Sequence, residues 1–427
     1  MITQGIKEVL EQADIILKDD PKLLKMFKQC YVSTIETTMK KVNDQEIFVI
    51  TGDIPAMWLR DSSAQVNHYL PLISKDQELA DLIAGLINKQ VECILLDPYA
   101  NAFNLEPVYQ REYYDCTDMN PMIWERKYEV DSLCYPVRLA YQFYKQTKRT
   151  DIFTSDFLNA MHLIVDTFIL EQDHTQSTYR FERPIAKVWK REETETLKRK
   201  GKGLPVNETG MTWSAFRPSD DACRFNYLIP SNMFASVILG YIQEFAKEIY
   251  HDDLLYEKAR QLKWDIDYGI KCYGIYLHPE FGQMYAYETD GFGNYCLMDD
   301  ANVPSLLSMP YLGYCTKEDK LYQHTRQFIL SEHNPFYYQG TCAKGIGSPH
   351  TPNNYIWHIA LTMQGLTGDT DEAKEMIDLI LKTNNDEGFC HEGFNKDDPS
   401  QYTRPWFAWA NSLFAELVYK TYLKGSL

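Results

Sequence analysis

Four stretches of this chain concentrate carboxylates, three of them beside arginines and aromatic rings. The first reads Thr51-Gly52-Asp53-Ile54-Pro55-Ala56-Met57-Trp58-Leu59-Arg60-Asp61. Trp58, Arg60 and Asp61 together offer an apolar platform and charged hydrogen-bonding groups. A sugar needs both, since its hydroxyls bind carboxylates and guanidinium groups in fixed geometries. The plainer reading is that Asp61 caps a helix and Arg60 pairs locally. The second stretch reads Ala215-Phe216-Arg217-Pro218-Ser219-Asp220-Asp221-Ala222-Cys223-Arg224. Its adjacent carboxylates suit acid/base work, although a single Asp there is more often a solvated turn residue. Met298-Asp299-Asp300-Ala301-Asn302 repeats the doublet. The fourth joins Gly388-Phe389-Cys390-His391-Glu392-Gly393-Phe394 to Thr403-Arg404-Pro405-Trp406. Glu392, between glycines and aromatics, stands in an unusual place for a glutamate that only solvates a surface. Carboxylates from several loops around one pocket point to hydrolysis by a general acid and a general base.

Other chemistries are poorly served. There is no H-E-x-x-H, no Cys/His ligand spacing and no P-loop, so neither metal nor cofactor is expected. No G-x-G-x-x-G follows a strand and no G-x-S-x-G elbow occurs. The net charge of −17 argues against a nucleic-acid partner and suits a neutral ligand. Aromatics make up 14% of the 427 residues, with 30 Tyr and 8 Trp. They either fill a large core or line a pocket for a ligand with apolar faces, such as a sugar ring. The ten cysteines are scattered without a C-x-x-C pair, which reads as reduced thiols of a cytoplasmic protein. The start, Met1 to Glu8, lacks the basic and apolar pattern of a signal peptide, and no stretch is long and apolar enough to cross a membrane. Asn207-Glu208-Thr209 fits the glycosylation triplet, a pattern common by chance.

The elements that must position these residues are helical. The spacing predicts thirteen helical segments and no strand-rich region. Long loops fall near 42–60, 96–128, 172–230, 272–301, 332–352 and 384–405, and tight turns near 75–76, 148–150, 250–251, 315–317 and 368–370. Helices joined by short turns are antiparallel neighbours, so the six long loops emerge at one end. Segments after a long loop are apolar nearly all round: Ser231 to Phe245, Ala301 to Tyr314, Asn354 to Leu366 and Pro405 to Leu417. Segments after a short turn carry one apolar stripe, as in Leu255, Ala259, Leu262, Ile266 and Ile270, and Lys317 to Leu330 and Thr370 to Leu381 behave alike. The first kind is buried and the second sits outside. Six of each make a closed double ring, an all-α (α/α)6 barrel, with an extra helix near 6–17 and one domain spanning 1–427. Pro230-Ser231-Asn232 and Thr351-Pro352-Asn353 read as inner-helix starts, and Asp252-Asp253 and Asp369-Thr370-Asp371 as outer ones. Pro136 and Pro310 are expected to kink inner helices. The run Lys187 to Gly203, with seven Lys or Arg, reads as a solvated insertion.

With these residues in view the chain resembles glycoside hydrolase family 125, the exo-α-1,6-mannosidases, over nearly its whole length. The likeness rests on Thr51 to Asp61 with its continuation Ser62-Ser63-Ala64-Gln65-Val66, and on Arg217-Pro218-Ser219-Asp220-Asp221. It rests also on Asp299-Asp300-Ala301-Asn302-Val303-Pro304-Ser305-Leu306 and on His391-Glu392-Gly393-Phe394. The first and third blocks are long and specific. The resemblance implies a metal-independent, inverting enzyme on an (α/α)6 barrel that removes non-reducing terminal α-1,6-linked mannose from oligosaccharides or N-glycan fragments. It implies Asp220 as general acid and Glu392 as general base. Trp58, Arg60, Asp61, Asp53, Asp221, Asp299, Asp300, Asn302, His350, Arg404 and Trp406 are then the sugar-binding set. Spacing and composition alone do not distinguish mannose from glucose.

Two rivals stay open at this point. A sugar epimerase on the same barrel would favour a histidine pair as acid and base. His278, His333, His350, His358 and His391 are the candidates, with His358 mid-helix and more suited to the core. A carbohydrate-binding protein without catalysis needs the aromatics but not both carboxylates. For an inverting hydrolase the two carboxyl groups stand about 6.5–9.5 Å apart, against about 5–5.5 Å for a covalent mechanism. Asp220 precedes the inner helix near 231 and Glu392 the one near 405, with those near 302 and 353 between them. That order favours the wider gap. An acid must hold its proton well above the ordinary Asp value of about 3.9. Burial and Asp221 favour this for Asp220, whereas Arg217 or Arg224 close by would oppose it.

Overall fold

The computed structural model describes residues 2–110, 115–184 and 194–424. Those residues form fourteen α-helices and fifteen strands of two to four residues. The chain packs as two compact units. Residues 1–90, 139–152 and 336–427 make the first, and residues 91–138 and 153–335 make the second.

In the first unit, helix Ala408–Val418 is buried at all eleven positions, as its nearly unbroken apolar sequence requires. It packs against Pro21–Ser33, Leu59–Val66 and His358–Thr367. Leu59–Val66 is buried throughout although it contains Arg60, Asp61, Ser62, Ser63 and Gln65. Thr370–Thr383 buries only Ala373, Met376, Ile377, Ile380, Leu381 and Thr383 and leaves its charged face outside. Asp369 caps it by accepting from the Asp371 and Glu372 amides, worth about 1 kcal/mol. The helix expected near 6–17 is Gln4–Ile16.

In the second unit, Ile229–Phe245 lies against Asp253–Tyr273. The latter buries Leu255, Ala259, Leu262, Ile266 and Ile270, the stripe that its spacing predicts, and Asp252 caps it through the Leu255 amide.

Several expectations need correction. The stretch 301–314 is no long helix but one turn, Met309–Leu312, with Pro310 at its start rather than inside it. The preceding residues bond elsewhere: the Leu306 and Leu307 amides donate to the Asp299 carboxylate at 2.8 and 3.0 Å. Ser231 is no cap. Its helix begins at Ile229, and its hydroxyl donates to Asp131. Thr351 does not open a helix either; it accepts from the Trp357 indole, and the helix begins at His358. Helix Val130–Thr147 continues past Pro136. The connections at 148–154 and 313–319 are longer than the tight turns expected there.

The long loops are not plain coil. They carry short antiparallel hairpins, such as Ile275–His278 with Gly282–Tyr285 and Tyr337–Gln339 with Lys344–Ile346. Of the run Lys187 to Gly203, positions 187–193 lie outside the described residues. In the rest, Lys198, Arg199 and Lys200 are exposed as expected, but Leu197, Gly201 and Gly203 are buried. Lys202 donates to the Ser177 and Tyr179 carbonyls at 2.8 Å each.

Candidate active site

The first unit builds its polar cluster on a small sheet. Gly393–Asn395 is the central strand between Tyr355–Trp357 and Tyr402–Thr403. Glu392 enters that strand, donates its amide to the Thr403 carbonyl at 3.3 Å, and is 5% exposed. Beyond Thr403 the chain turns at Arg404, with φ +44°, a left-handed conformation that costs a non-glycine residue about 1–3 kcal/mol. The Arg404 side chain offsets that cost. Its Nη2 lies 2.6 Å from Asp53 Oδ1 and donates to Thr51 Oγ1 at 2.9 Å. Its Nε lies 3.1 Å from both Asp53 oxygens, and its Nη1 lies 3.5 Å from Glu392 Oε1. The guanidinium rests 4.4 Å over the Phe407 ring. Burial alone weakens its hold on its proton, but Glu392, Asp53 and Asp61 together raise it well above the ordinary arginine value.

Backbone ties fix the same corner. Asp53 donates its amide to the Trp406 carbonyl, and Gly52 pairs with Phe407. Gly52 has φ +126°, and a Cβ there would meet the Trp406 oxygen at 2.6 Å, so only glycine fits. Arg60 and Asp61 are buried, 3.5 Å apart from Nε to Oδ2. Asp61 stands in the first turn of its helix, but the N-cap is Trp58, which makes no side-chain cap. Trp58 is buried, and its indole N–H has no hydrogen-bond partner among the described residues. Trp406 is half-buried. So is His350, whose ring lies 6.3 Å from that of Trp357.

The second unit presents Asp220 on a tight loop. Phe216 bridges Ala222, the Arg217 amide donates to Asp221 O at 2.7 Å, and the Asp220 amide donates to Arg217 O at 2.9 Å. Asp220 has φ +68°, a conformation that Asp tolerates better than most side chains. Lys127 Nζ donates to its carbonyl at 2.8 Å, and Asn101 Nδ2 lies 3.4 Å from its Oδ1. The arginines flanking the doublet serve other partners. Arg217 Nε lies 2.6 Å from Glu288 Oε1, both buried, and Glu288 also accepts from the Arg224 and Phe225 amides. Burial works against the Arg217 charge, yet Glu288 holds it well above the ordinary value. Ser219 donates to Asp300 at 2.7 Å, and Asn302 donates to the Pro218 carbonyl at 2.7 Å. Asp300 and Asn302 thus brace the Asp220 loop. Asp299 is fully buried with both oxygens on backbone amides, and burial pushes its pKa up to about 8. Asp221 is also buried.

Sequence reasoning missed Asn101, Lys127, Glu125, Glu129 and Glu288. For Glu125, Lys127 and Glu129 the signal was present in Trp124-Glu125-Arg126-Lys127-Tyr128-Glu129, a charged run just before helix Val130–Thr147. Its charges are buried and paired, mostly with residues outside the run: Lys127 with Glu125 and Glu195, Arg126 with Asp97, and Glu125 also with Arg183. A histidine pair of the kind an epimerase needs does exist, but in the core. His358 and His391 have ring centroids 5.8 Å apart and are both fully buried. His358 accepts from the His391 amide and bonds Thr383, and burial lowers its pKa to about 3. His358 begins its helix rather than sitting within it.

Residues 20–419 match the family described as metal-independent alpha-mannosidase (GH125). The chain belongs to glycoside hydrolase family 125. A Streptococcus pneumoniae metal-independent α-mannosidase, solved as a non-productive complex with α-1,6-mannobiose, is 46% identical with a TM-score of 0.95, covering 99% of both chains. The meiotically up-regulated gene 157 protein of Schizosaccharomyces pombe is 38% identical, over 98% of this chain and 84% of that one. A glucoamylase from Saccharomycopsis fibuligera, 11% identical with a TM-score of 0.56 over 97% of this chain and 96% of that one, shares the fold alone. This family 125 member is therefore a glycoside hydrolase with the (α/α)6-barrel fold. Among its described residues no group of three or more His, Cys, Asp or Glu could hold a metal ion, and no helix is long and apolar enough to cross a membrane.

Proposed function

We propose that this enzyme is an inverting exo-α-1,6-mannosidase that removes terminal mannose from oligosaccharides or N-glycan fragments, with both units serving one catalytic domain. The observation that carries this reading is the 46% identical relative solved with α-1,6-mannobiose. Asp220 begins protonated and Glu392 ionised. Water attacks the anomeric carbon and gives a proton to Glu392 while the bond to the leaving oxygen breaks. That oxygen takes the Asp220 proton. The products are β-mannose and the shortened sugar, and proton exchange with solvent resets both carboxyls. Arg404 supports the base role by fixing Glu392 against the Thr51–Asp53 corner. Trp58, Arg60, Asp61, Asp53, Asp221, His350 and Trp406 are assigned to sugar binding. Of the other residues expected to bind sugar, Asp300 and Asn302 also hold the Asp220 loop, and Asp299 holds the Leu306 and Leu307 amides. All ten cysteines are free thiols, which suits a reducing, cytoplasmic setting.

Incubation with α-1,6-mannobiose should release free mannose, and proton NMR of early turnover should show the β anomer first. The α anomer appearing first would remove Glu392 from the role of water-activating base. A rearranged disaccharide without free mannose would overturn the hydrolase reading.

A further inference from the structure

A closed ring of three contacts surrounds the acid candidate. The Lys127 backbone amide donates to Asn101 Oδ1 at 3.1 Å. That bond fixes which end of the Asn101 amide faces which way, so its NH2 group points at carboxylates. Asn101 Nδ2 reaches Asp220 Oδ1 at 3.4 Å, and it also lies 3.1 Å from Glu125 Oε1 and 3.4 Å from Glu129 Oε1. Lys127 Nζ then closes the ring on the Asp220 carbonyl at 2.8 Å. Asn101 is fully buried and Lys127 nearly so.

We propose that Asn101 is a positioning residue for proton donation by Asp220. The inference rests on Asp220 being the general acid. An amide N–H can be accepted only by an oxygen that keeps a free lone pair toward it. Held by Asn101, Oδ1 serves as the carbonyl oxygen of the protonated acid, and the proton resides on Oδ2, the oxygen that Asn101 does not engage and that would face the leaving oxygen. Asp220 sits in a left-handed backbone conformation, so its side-chain direction depends on such holds at both ends. Lys127 fixes the carbonyl end and Asn101 the carboxyl end. Without Asn101 the carboxyl loses one of the contacts that orient it, and the proton is presented to the substrate less often.

The test uses two substrates that differ in their need for that proton. α-1,6-Mannobiose has an alkoxide-like leaving group that must be protonated, whereas α-mannosyl fluoride loses fluoride without full proton transfer. Their kcat ratio within one preparation cancels the folded fraction, so lost stability does not disturb it. Asn101→Ala should lower kcat on the disaccharide by about 10- to 100-fold, a part of the range for general acid catalysis, and on the fluoride by less than about 3-fold. Asn101→Ser, run beside it, covers the case that the alanine variant does not fold. Asp220→Asn, measured in parallel, should give the same selective pattern with a larger loss. If Asp220→Asn is selective and the Asn101 variants slow both substrates equally, Asn101 only supports the fold and the inference fails alone. If Asp220→Asn is itself unselective, the acid assignment falls and takes the inference with it.

Discussion

The Glu392 and Asp220 surroundings are built from opposite materials. Glu392 enters a hydrogen-bonded strand and has a permanent cation 3.5 Å away, which Asp53 and Thr51 hold in place. Asp220 stands on a loop in a left-handed conformation, and a neutral amide reaches its carboxyl. The cations beside Asp220 are engaged with other anions: Arg217 with Glu288, and Lys127 with Glu125 and Glu195. Lys127 touches the Asp220 backbone carbonyl, and its charge also acts on the Asp220 carboxyl. A guanidinium brings a full charge to the carboxyl it meets, whereas an amide brings only a dipole. Glu392 thus faces a guanidinium in one unit, and Asp220 an amide together with the charge of a lysine already paired with two glutamates in the other.

The sharpest way to break that comparison is to neutralise each carboxyl in turn. Asp220→Asn and Glu392→Gln should each lose about 10²- to 10⁴-fold in kcat on α-1,6-mannobiose. They should part on α-mannosyl fluoride, where the Asp220 variant keeps most activity and the Glu392 variant does not, since water still needs a base. Equal behaviour of the two on the fluoride would erase the distinction between acid and base.

Next in size is Arg404→Lys. Lysine keeps the charge but not the planar fork that meets Asp53, Thr51 and Glu392 at once. A fall in kcat of about 10- to 100-fold, with a smaller change in KM, is expected from a misplaced base. Normal turnover in this variant would show that charge alone is what Glu392 requires. Asp61→Ala should follow, losing about 10-fold in kcat/KM through a hydroxyl contact that strengthens toward the transition state. Steady-state kinetics corrected for the folded fraction would check it. Unchanged constants in a less stable protein would reduce Asp61 to a first-turn acid that favours the helix dipole.

How far the sequence could be read divides along the same line. The outer-helix stripes and the Asp252 and Asp369 caps were legible because each depends on residues three or four apart. The Glu392 and Asp220 motifs were legible as unusual local clusters. The hold of Arg404 on Asp53 was not, because 351 positions separate them in the chain. Asn101 went unread since a lone asparagine in a loop carries no local signal. The expected helix over 301–314 failed for a specific reason: Asp299 takes two backbone amides that a helix would have used. A buried acid overrode an apolar pattern, and no periodicity reports that.

Asp299 yields the smallest effect, one on stability rather than chemistry. Burial pushes its pKa up to about 8, against the two amide hydrogen bonds that pull the other way. An unfolded Asp ionises near pH 3.9. Between about pH 4 and about pH 8 the native state therefore binds more protons than the unfolded state, and stability falls as pH rises through that window and levels off above it. Asp299→Asn removes the titrating group. It also turns one acceptor into a donor facing the Leu306 or Leu307 amide, so the variant should melt lower overall. Its Tm should nevertheless decline less between pH 4 and pH 8 than that of the parent. Thermal melts across that range check the slope, and parallel curves for the two proteins would mean that Asp299 is ionised in the native state throughout. In that case the loop bracing Asp220 would rest on a buried anion rather than on a neutral acid.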